Sequence, residues 1–94
     1  MLPAVNHNTS ESRFELQHEG ACAVLEYQRG SAHMTIHHTF VPPQLRGKGV
    51  AAILAKAAFD YAREQEWKVV PCCSYIATYA KRFPEANELI IETA

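Results

Sequence analysis

The sequence predicts an α+β domain, in which an antiparallel meander of strands is followed by a crossover helix and a further, parallel strand. Three observations lead to this fold class. Apolar and polar residues alternate over three consecutive stretches between residues 13 and 41. After residue 49 the apolar spacing becomes that of a helix. A compact apolar run at residues 67–73 is then typical of a buried strand.

The meander consists of three short strands joined by turns. We expect the strands at residues 13–17, 21–28 and 32–41. His18-Glu19-Gly20 and Arg29-Gly30-Ser31 separate them, and both are turn sequences. Connections this short favour antiparallel pairing of neighbouring strands.

In the third strand, at 32–41, alternate residues are expected to share one face. These residues are Met34, Ile36, His38 and Phe40. Pro42-Pro43 ends the strand, because neither residue can donate a ladder hydrogen bond.

The second half of the chain begins with a helix from Val50 to about Glu66, whose five alanines at positions 51–58 favour helix formation. Because a helix connects them, the strand at 67–73 is expected to lie parallel to the strand at 32–41. Ser74 is a candidate N-cap for a short helix that ends before Pro84. The sequence leaves open whether residues 88–91 form a helical turn or an extended tail.

Length and composition restrict the class of protein. With 94 residues there is room for one domain, which we place at 12–94 after a flexible N-terminus at 1–11. A net charge of −1 gives no electrostatic basis for a nucleic-acid partner. No apolar run reaches the roughly 20 residues of a membrane span. The three cysteines form no disulfide framework, so we expect a reducing, cytoplasmic compartment.

The segment 41–51 is the candidate ligand site. Gly47 and Gly49 stand just before the predicted helix, where glycine lets the backbone approach a ligand and turn its N–H groups inward. The helix N-terminus adds partial positive charge, and Arg46 and Lys48 add full charges. This pattern suits a pyrophosphate, although the glycine spacing by itself favours the alternative, a surface turn leading into a helix. It fits neither the Walker A motif nor the dinucleotide fingerprint.

The same loop resembles the Q/R-x-x-G-x-G/A signature of the GNAT acyltransferase superfamily through Gln44, Gly47 and Gly49. Further motifs, in the same order, resemble the small single-domain branch of that superfamily. They are His38-Thr39-Phe40-Val41-Pro42, Arg46-Gly47-Lys48-Gly49-Val50-Ala51, Pro71-Cys72-Cys73-Ser74-Tyr75 and Arg82-Phe83-Pro84-Glu85. The resemblance extends over about residues 13–92.

This resemblance implies a reduced GNAT core that binds acetyl-CoA and transfers its acetyl group to an amine. In the superfamily the loop holds the pyrophosphate of CoA, and pantetheine lies in a gap where two strands splay apart. Those strands correspond here to 32–41 and 67–73. The residues assigned to CoA in this way are Val41, Gln44, Arg46, Gly47, Lys48, Gly49, Val50, Ala51, Tyr75 and Tyr79. For the two tyrosines, packing of the short helix against the sheet is the alternative interpretation.

Cys73 and His38 are the candidate catalytic residues. The resemblance places Cys73 near the acetyl thioester, where a thiol can accept the acetyl group or pass on a proton. His38, on the neighbouring strand, can deprotonate an amine or pair with Cys73. A buried apolar cysteine and a histidine bonded to a backbone carbonyl are the alternatives. We expect no metal site, because Cys72-Cys73 and His37-His38 offer only two ligands on either face.

The amine acceptor is not identified by the sequence. Compared with ordinary GNAT enzymes, the chain lacks the N-terminal helices and C-terminal strands that wall the acceptor site. The groove is then shallow, completed by a second copy in a homodimer, or shaped to receive a protein. A CoA-binding module without transferase activity and a small interaction domain remain alternatives.

Overall fold

The computed structural model describes residues 4–91. The first part of the predicted N-terminus, at 1–3, and the end of the predicted domain, at 92–94, lie outside the described residues. The elements follow in chain order. They are β1 (Asn6–Asn8), β2 (Arg13–His18), β3 (Ala21–Arg29), β4 (His33–Phe40), a 3-10 turn (Pro43–Leu45), α1 (Val50–Glu64), β5 (Lys68–Pro71), α2 (Ser74–Arg82) and α3 (Pro84–Asn87).

All five strands form one sheet in the order β1-β2-β3-β4-β5. The first four strands pair antiparallel, and β5 pairs parallel to β4 through the α1 crossover. The predicted α+β class, the meander and the parallel last strand are therefore confirmed. None of the helices in the described part of the chain is long and apolar enough to cross a bilayer.

Strand β1 corrects the prediction of a flexible segment at 1–11, because Asn6–Asn8 pair with β2. The side chain of His7 accounts for this order. Its ring stacks on Phe14 at a centroid distance of 4.1 Å, and its Nε2 shares a 2.6 Å hydrogen bond with the Tyr27 hydroxyl. A polar N-terminus is thus held by several ring and hydrogen-bond contacts that depend on the folded sheet.

The C-terminal part differs from the prediction by one residue and one element. Cys73, not Ser74, is the N-cap of α2, so Ser74 is already helical. Pro84 ends α2 and also begins α3, which proline permits because its missing N–H falls in the first turn. Beyond α3 the chain runs alongside β5, where Val69 N–H donates to the Leu89 carbonyl at 2.8 Å. Residues 89–91 therefore continue the sheet edge.

The core lies between the sheet and the helices. Leu16, Leu25 and Ile36 point to the covered face and are fully buried, as is Leu54 of α1. Helix α2 packs beside α1 on this face, with the rings of Phe59 and Tyr79 stacked at 5.6 Å. Alternate side chains of β3 that point to the other face are only half-buried. The described helices consequently cover one face and leave the other open.

A β-bulge in β4 changes which side chains reach the covered face. Tyr27 pairs with Ile36, but the preceding residue of β3, Glu26, pairs with His38, so β4 contains one extra residue. Thr39 consequently lies opposite the buried Leu25 on the covered face. The prediction that His38 and Phe40 share a face with Met34 and Ile36 is wrong, because strict alternation ends at the bulge.

Pairing between β4 and β5 ends just before this bulge. Their pairing covers only His33–Ile36 of β4, and the Cys72 N–H makes the last connection, to the Ile36 carbonyl at 3.0 Å. Strand β4 then continues to Phe40 without β5 beside it. The gap lies between the second half of β4 and the start of α2, because β5 itself ends at Pro71; a splay of two strands stays a prediction.

Candidate active site

The loop between β4 and α1 is fixed at both ends. Leu45, in the 3-10 turn, is fully buried and ties the loop to the core. Gly49 is the N-cap of α1, and its carbonyl accepts the Ile53 N–H at 3.1 Å. Gly47 and Gly49 have φ angles of 78° and 72°, which residues with a Cβ rarely adopt. These two positions need glycine for backbone conformation alone.

The N–H groups of residues 47–49 belong to exposed residues at the N-terminal end of α1. Among the residues that the structure describes, the N–H groups of Gly47, Lys48 and Gly49 donate to no protein acceptor. No acidic side chain lies in the first turn of α1, so the partial positive charge of the helix end is not neutralised there. A Cβ at Gly47 or Gly49 would meet no protein atom within 4 Å. The space above the loop is therefore open to a ligand.

Arg46 makes a structural hydrogen bond within the loop in addition to contributing a positive charge. Its Nε donates to the Val41 carbonyl at 3.1 Å, which links the loop to the end of β4. The side chains of Gln44 and Lys48 are exposed. Arg46 thus has a local structural role beside any contact with an anion.

A pocket of about 260 Å³ lies between this loop and the start of α2. Its lining consists of loop residues, the first turn of α1 and one tyrosine. They are Val41, Leu45, Arg46, Gly47, Gly49, Val50, Ala51, Ala52 and Tyr75. Seven of the ten residues predicted from the sequence to contact CoA are in this lining. Gln44, Lys48 and Tyr79 are not in it.

Tyr75 and Tyr79 lie one turn apart on α2 and have different surroundings. Tyr75 is half-buried and lines both the loop pocket and a second pocket of about 210 Å³ beside it. Tyr79 is buried, and its ring stacks on Phe59 and lies 4.6 Å from that of Phe83. Burial raises the pKa of both phenols. Both tyrosines line the second pocket, but only Tyr75 also lines the loop pocket, whereas Tyr79 also packs against two aromatic rings.

Cys73 lies where the gap between β4 and β5 meets the N-terminus of α2. Its Sγ is 3.7 Å from the Thr39 hydroxyl oxygen, and both residues are half-buried. The Cys73 carbonyl accepts the N–H groups of Ile76 and Ala77, which fixes this residue at the helix cap. Thr39 was not among the site residues predicted from the sequence. The sequence feature that could have indicated Thr39 is the polar pair His37-His38, because it interrupts the apolar–polar alternation of β4.

His38 does not lie beside Cys73 as the shared face would require. It is exposed and opposite Glu26, on the open face of the sheet. Cys72 and His37 are exposed as well. Within residues 4–91, no three His, Cys, Asp or Glu side chains converge on a point where a metal ion could bind.

Comparison with known proteins identifies the family. The family model described as GCN5-related N-acetyl-transferase matches residues 13–89. The chain belongs to the GCN5-related N-acetyltransferase family. Protein NATD1 of Xenopus tropicalis and of Mus musculus is 36% identical over 84 residues, which cover 85% of this chain and 76% of each relative. The NMR solution structure of a GCN5-like protein from Staphylococcus aureus is 25% identical, with a TM-score of 0.74, and covers 96% of this chain and 89% of that one.

The family match covers the meander, the glycine loop and the cysteine at the cap of α2. The resemblance seen in the sequence is thereby confirmed, as is the reduced GNAT core. The chain is an N-acetyltransferase domain of this family. Strand β1 lies before the matched region, so the contact of His7 with the core is a feature of this chain outside the family model.

Proposed function

We propose that this domain binds acetyl-CoA and transfers its acetyl group to an amine. The observation that carries the proposal is the open row of N–H groups at Gly47–Gly49, which ends at the N-terminus of α1 and borders the pocket that reaches Tyr75 of α2. Backbone N–H groups at a helix N-terminus are suited to a diphosphate. The open space around both glycines fits such a group.

The residues of the pocket have distinct roles in this proposal. The N–H groups of Gly47, Lys48 and Gly49 hold the diphosphate. The charges of Arg46 and Lys48 add electrostatic attraction, which solvent screens at these exposed positions. Tyr75 borders the remaining pocket on the α2 side. Bound acetyl-CoA supplies an activated acetyl thioester.

The second half of β4 is the candidate oxyanion site. Beyond Ile36 this strand has no pairing with β5, so its backbone at 37–40 is not engaged on that side within the described residues. Donors fixed in a strand stabilise developing negative charge without reorganising. The thiol of Cys73 lies across the same gap and either accepts the acetyl group or leaves direct attack to the amine. His38, on the open face, or a water molecule removes the amine proton.

A CoA-binding module without transferase activity is the second candidate function. The open sheet face favours it, because the described helices leave that face without a wall for an acceptor. The two functions share the loop and differ only in the fate of the acetyl group.

Calorimetry tests the shared part of the proposal. Titration with acetyl-CoA is expected to show one site per chain, and desulfo-CoA to bind with similar affinity because the diphosphate contacts are unchanged. Native mass spectrometry of the purified protein then shows whether a CoA species co-purifies. Absence of heat and of a thermal shift at millimolar acetyl-CoA contradicts both candidate functions.

We further propose a cytoplasmic location. Cys22, Cys72 and Cys73 are all free thiols, which is usual in a reducing compartment.

A further inference from the structure

We propose that Thr39 is a positioning residue for the thiol of Cys73, and that the bulge in β4 brings it there. The inference rests on the proposed function, in which Cys73 lies beside the acetyl thioester. In this positioning role, the Thr39 hydroxyl orients the Cys73 sulfur into the gap and donates a hydrogen bond to it once the thiol is deprotonated.

The contact between the two side chains is the first basis for this role. Thr39 Oγ1 and Cys73 Sγ are 3.7 Å apart, and each is the other's side-chain hydrogen-bond partner within the described chain. Cys73 is the N-cap of α2, yet its side chain makes no capping bond. The sulfur therefore faces β4 across the gap instead of turning back to its own helix.

The bulge supplies the second basis. The extra residue in β4 puts Thr39 on the covered face, opposite Leu25, and puts His38 on the open face, opposite Glu26. Regular alternation would have placed an imidazole beside the sulfur. A hydroxyl can accept from a thiol and donate to a thiolate, so it serves both protonation states without adding charge. Threonine is also stiff at χ1, which favours a fixed hydroxyl direction.

The chemical step assigned to this pair is acetyl transfer to sulfur. The Cys73 thiolate attacks the acetyl carbonyl, a bond forms between Sγ and the acetyl carbon, and the bond to the CoA sulfur breaks. CoA leaves as a thiolate and takes up the proton that Cys73 released to solvent. An amine then attacks the carbonyl of acetyl-Cys73: the amide bond forms, the bond to Sγ breaks and regenerates the thiolate, and the proton lost by the amine passes to solvent. Thr39 takes part through Sγ alone, since it gains and loses no bond to the acetyl group.

Alkylation of Cys73 tests this role without acetyl-CoA. The rate of modification by iodoacetamide is measured from pH 6 to pH 10 by peptide mass mapping, with the exposed Cys72 as internal reference. Thr39→Val removes the hydroxyl and keeps the shape, whereas Thr39→Ser restores the hydroxyl. We expect Thr39→Val to lower the alkylation rate of Cys73 about tenfold at pH 7 and to move the plot of this rate against pH to higher pH. The reason is that a hydrogen bond to a charged group is lost. Thr39→Ser is expected to stay within about threefold of the native rate, since its donor remains.

Two results overturn the proposal. One is that Thr39→Val is alkylated at Cys73 at the same rate, and with the same pH dependence, as the native chain. The other is equal slowing in Thr39→Val and Thr39→Ser, which indicates a packing effect. Thr39→Ala replaces the valine variant if thermal unfolding shows that the latter does not fold. Calorimetry with acetyl-CoA separates this test from that of the proposed function, because absence of binding in the native chain contradicts the function while leaving the alkylation result intact.

Discussion

The Thr39 hydroxyl oxygen lies 3.7 Å from the Cys73 sulfur, across the gap that opens where β4 and β5 cease to pair. The two residues are 34 positions apart in the chain. One comes from the strand after its bulge, and the other from the cap of α2. Their contact links the strand geometry to the chemistry of the site, and it underlies the tests of Cys73 and of Thr39.

The glycine loop gives the first prediction. Gly47→Val and Gly49→Val are each expected to weaken acetyl-CoA binding at least tenfold, because the new side chain occupies the open space above the N–H groups. Each also strains a left-handed backbone, at about 1–2 kcal/mol. Calorimetry gives the affinity, and urea unfolding gives the stability.

Gly20→Val is the matched control for this loop. Gly20 has a φ of 78°, and a Cβ added there would meet no protein atom within 4 Å, as in the loop, but it lies in the β2–β3 turn. It should lose similar stability and retain full affinity. Native affinity in both loop variants would place the diphosphate elsewhere.

Cys73 gives the second prediction. If its thiol is the nucleophile, incubation with acetyl-CoA adds one acetyl mass to Cys73 and none to Cys22 or Cys72. Cys73→Ser should lose this adduct while keeping acetyl-CoA affinity, and Cys72→Ser should keep both, because Cys72 is exposed and outside the gap. Mass mapping after limited incubation provides the measurement.

His38 distinguishes the alternative route. Full transfer to an amine by Cys73→Ala excludes the covalent step and leaves direct attack. His38→Ala is then expected to lower the rate if the imidazole accepts the amine proton from the open face. His37→Ala serves as control, since it is exposed and next to His38. Unchanged rates in both histidine variants assign the proton to water.

His7 gives the third prediction, on the pH dependence of stability. Burial lowers the pKa of His7 from its ordinary value of 6.5. The folded state therefore holds fewer protons than the unfolded state just below pH 6.5. The stabilisation from neutral His7 is present above pH 6.5 and is lost as pH falls through the window down to the folded-state pKa. Urea unfolding at pH 7.5 and pH 5.5 is expected to show this loss.

His7→Gln removes that pH dependence if His7 is its source. Glu15 titrates in a separate window, because its hydrogen bond from Arg13 lowers the pKa of the carboxyl below 4.5. His37→Gln, which replaces an exposed histidine, is the comparison variant. If His7→Gln still loses the same stability between pH 7.5 and pH 5.5, His7 is not the source of the pH dependence.

Tyr79 gives the fourth prediction. Its ring stacks on Phe59 and contacts that of Phe83, so the packing contacts are made by the ring and not by the hydroxyl. Tyr79→Phe is thus expected to keep stability within about 0.5 kcal/mol, and Tyr79→Ala to lose about 3 kcal/mol. Urea unfolding gives both values. A fall in acetyl transfer by Tyr79→Phe alone would instead assign the phenol a chemical role, for which Tyr75→Phe is the comparison.

Local patterns in the sequence were sufficient for most of the fold. Alternation predicted β2 and β3 within one residue at their ends, since each has one face against the core along its full length. Helical spacing predicted α1, and a crossover helix dictated that β5 lie parallel to β4. The glycine loop was recognised because its two glycines stand at fixed spacing just before a helix, and both adopt the left-handed conformation that favours glycine.

Tertiary structure decided the contents of the site. Strand β1 exists because His7 meets the Phe14 ring and the Tyr27 hydroxyl, a contact that the polar sequence of the N-terminus does not encode locally. The bulge in β4 depends on how β3 pairs with it, so alternation along β4 alone gave His38 the place that Thr39 occupies. The sequence determined strands, helix and loop by itself because their periodicity is local. Only the pairing between strands decided which side chain faces Cys73, because one extra residue reverses every face beyond it.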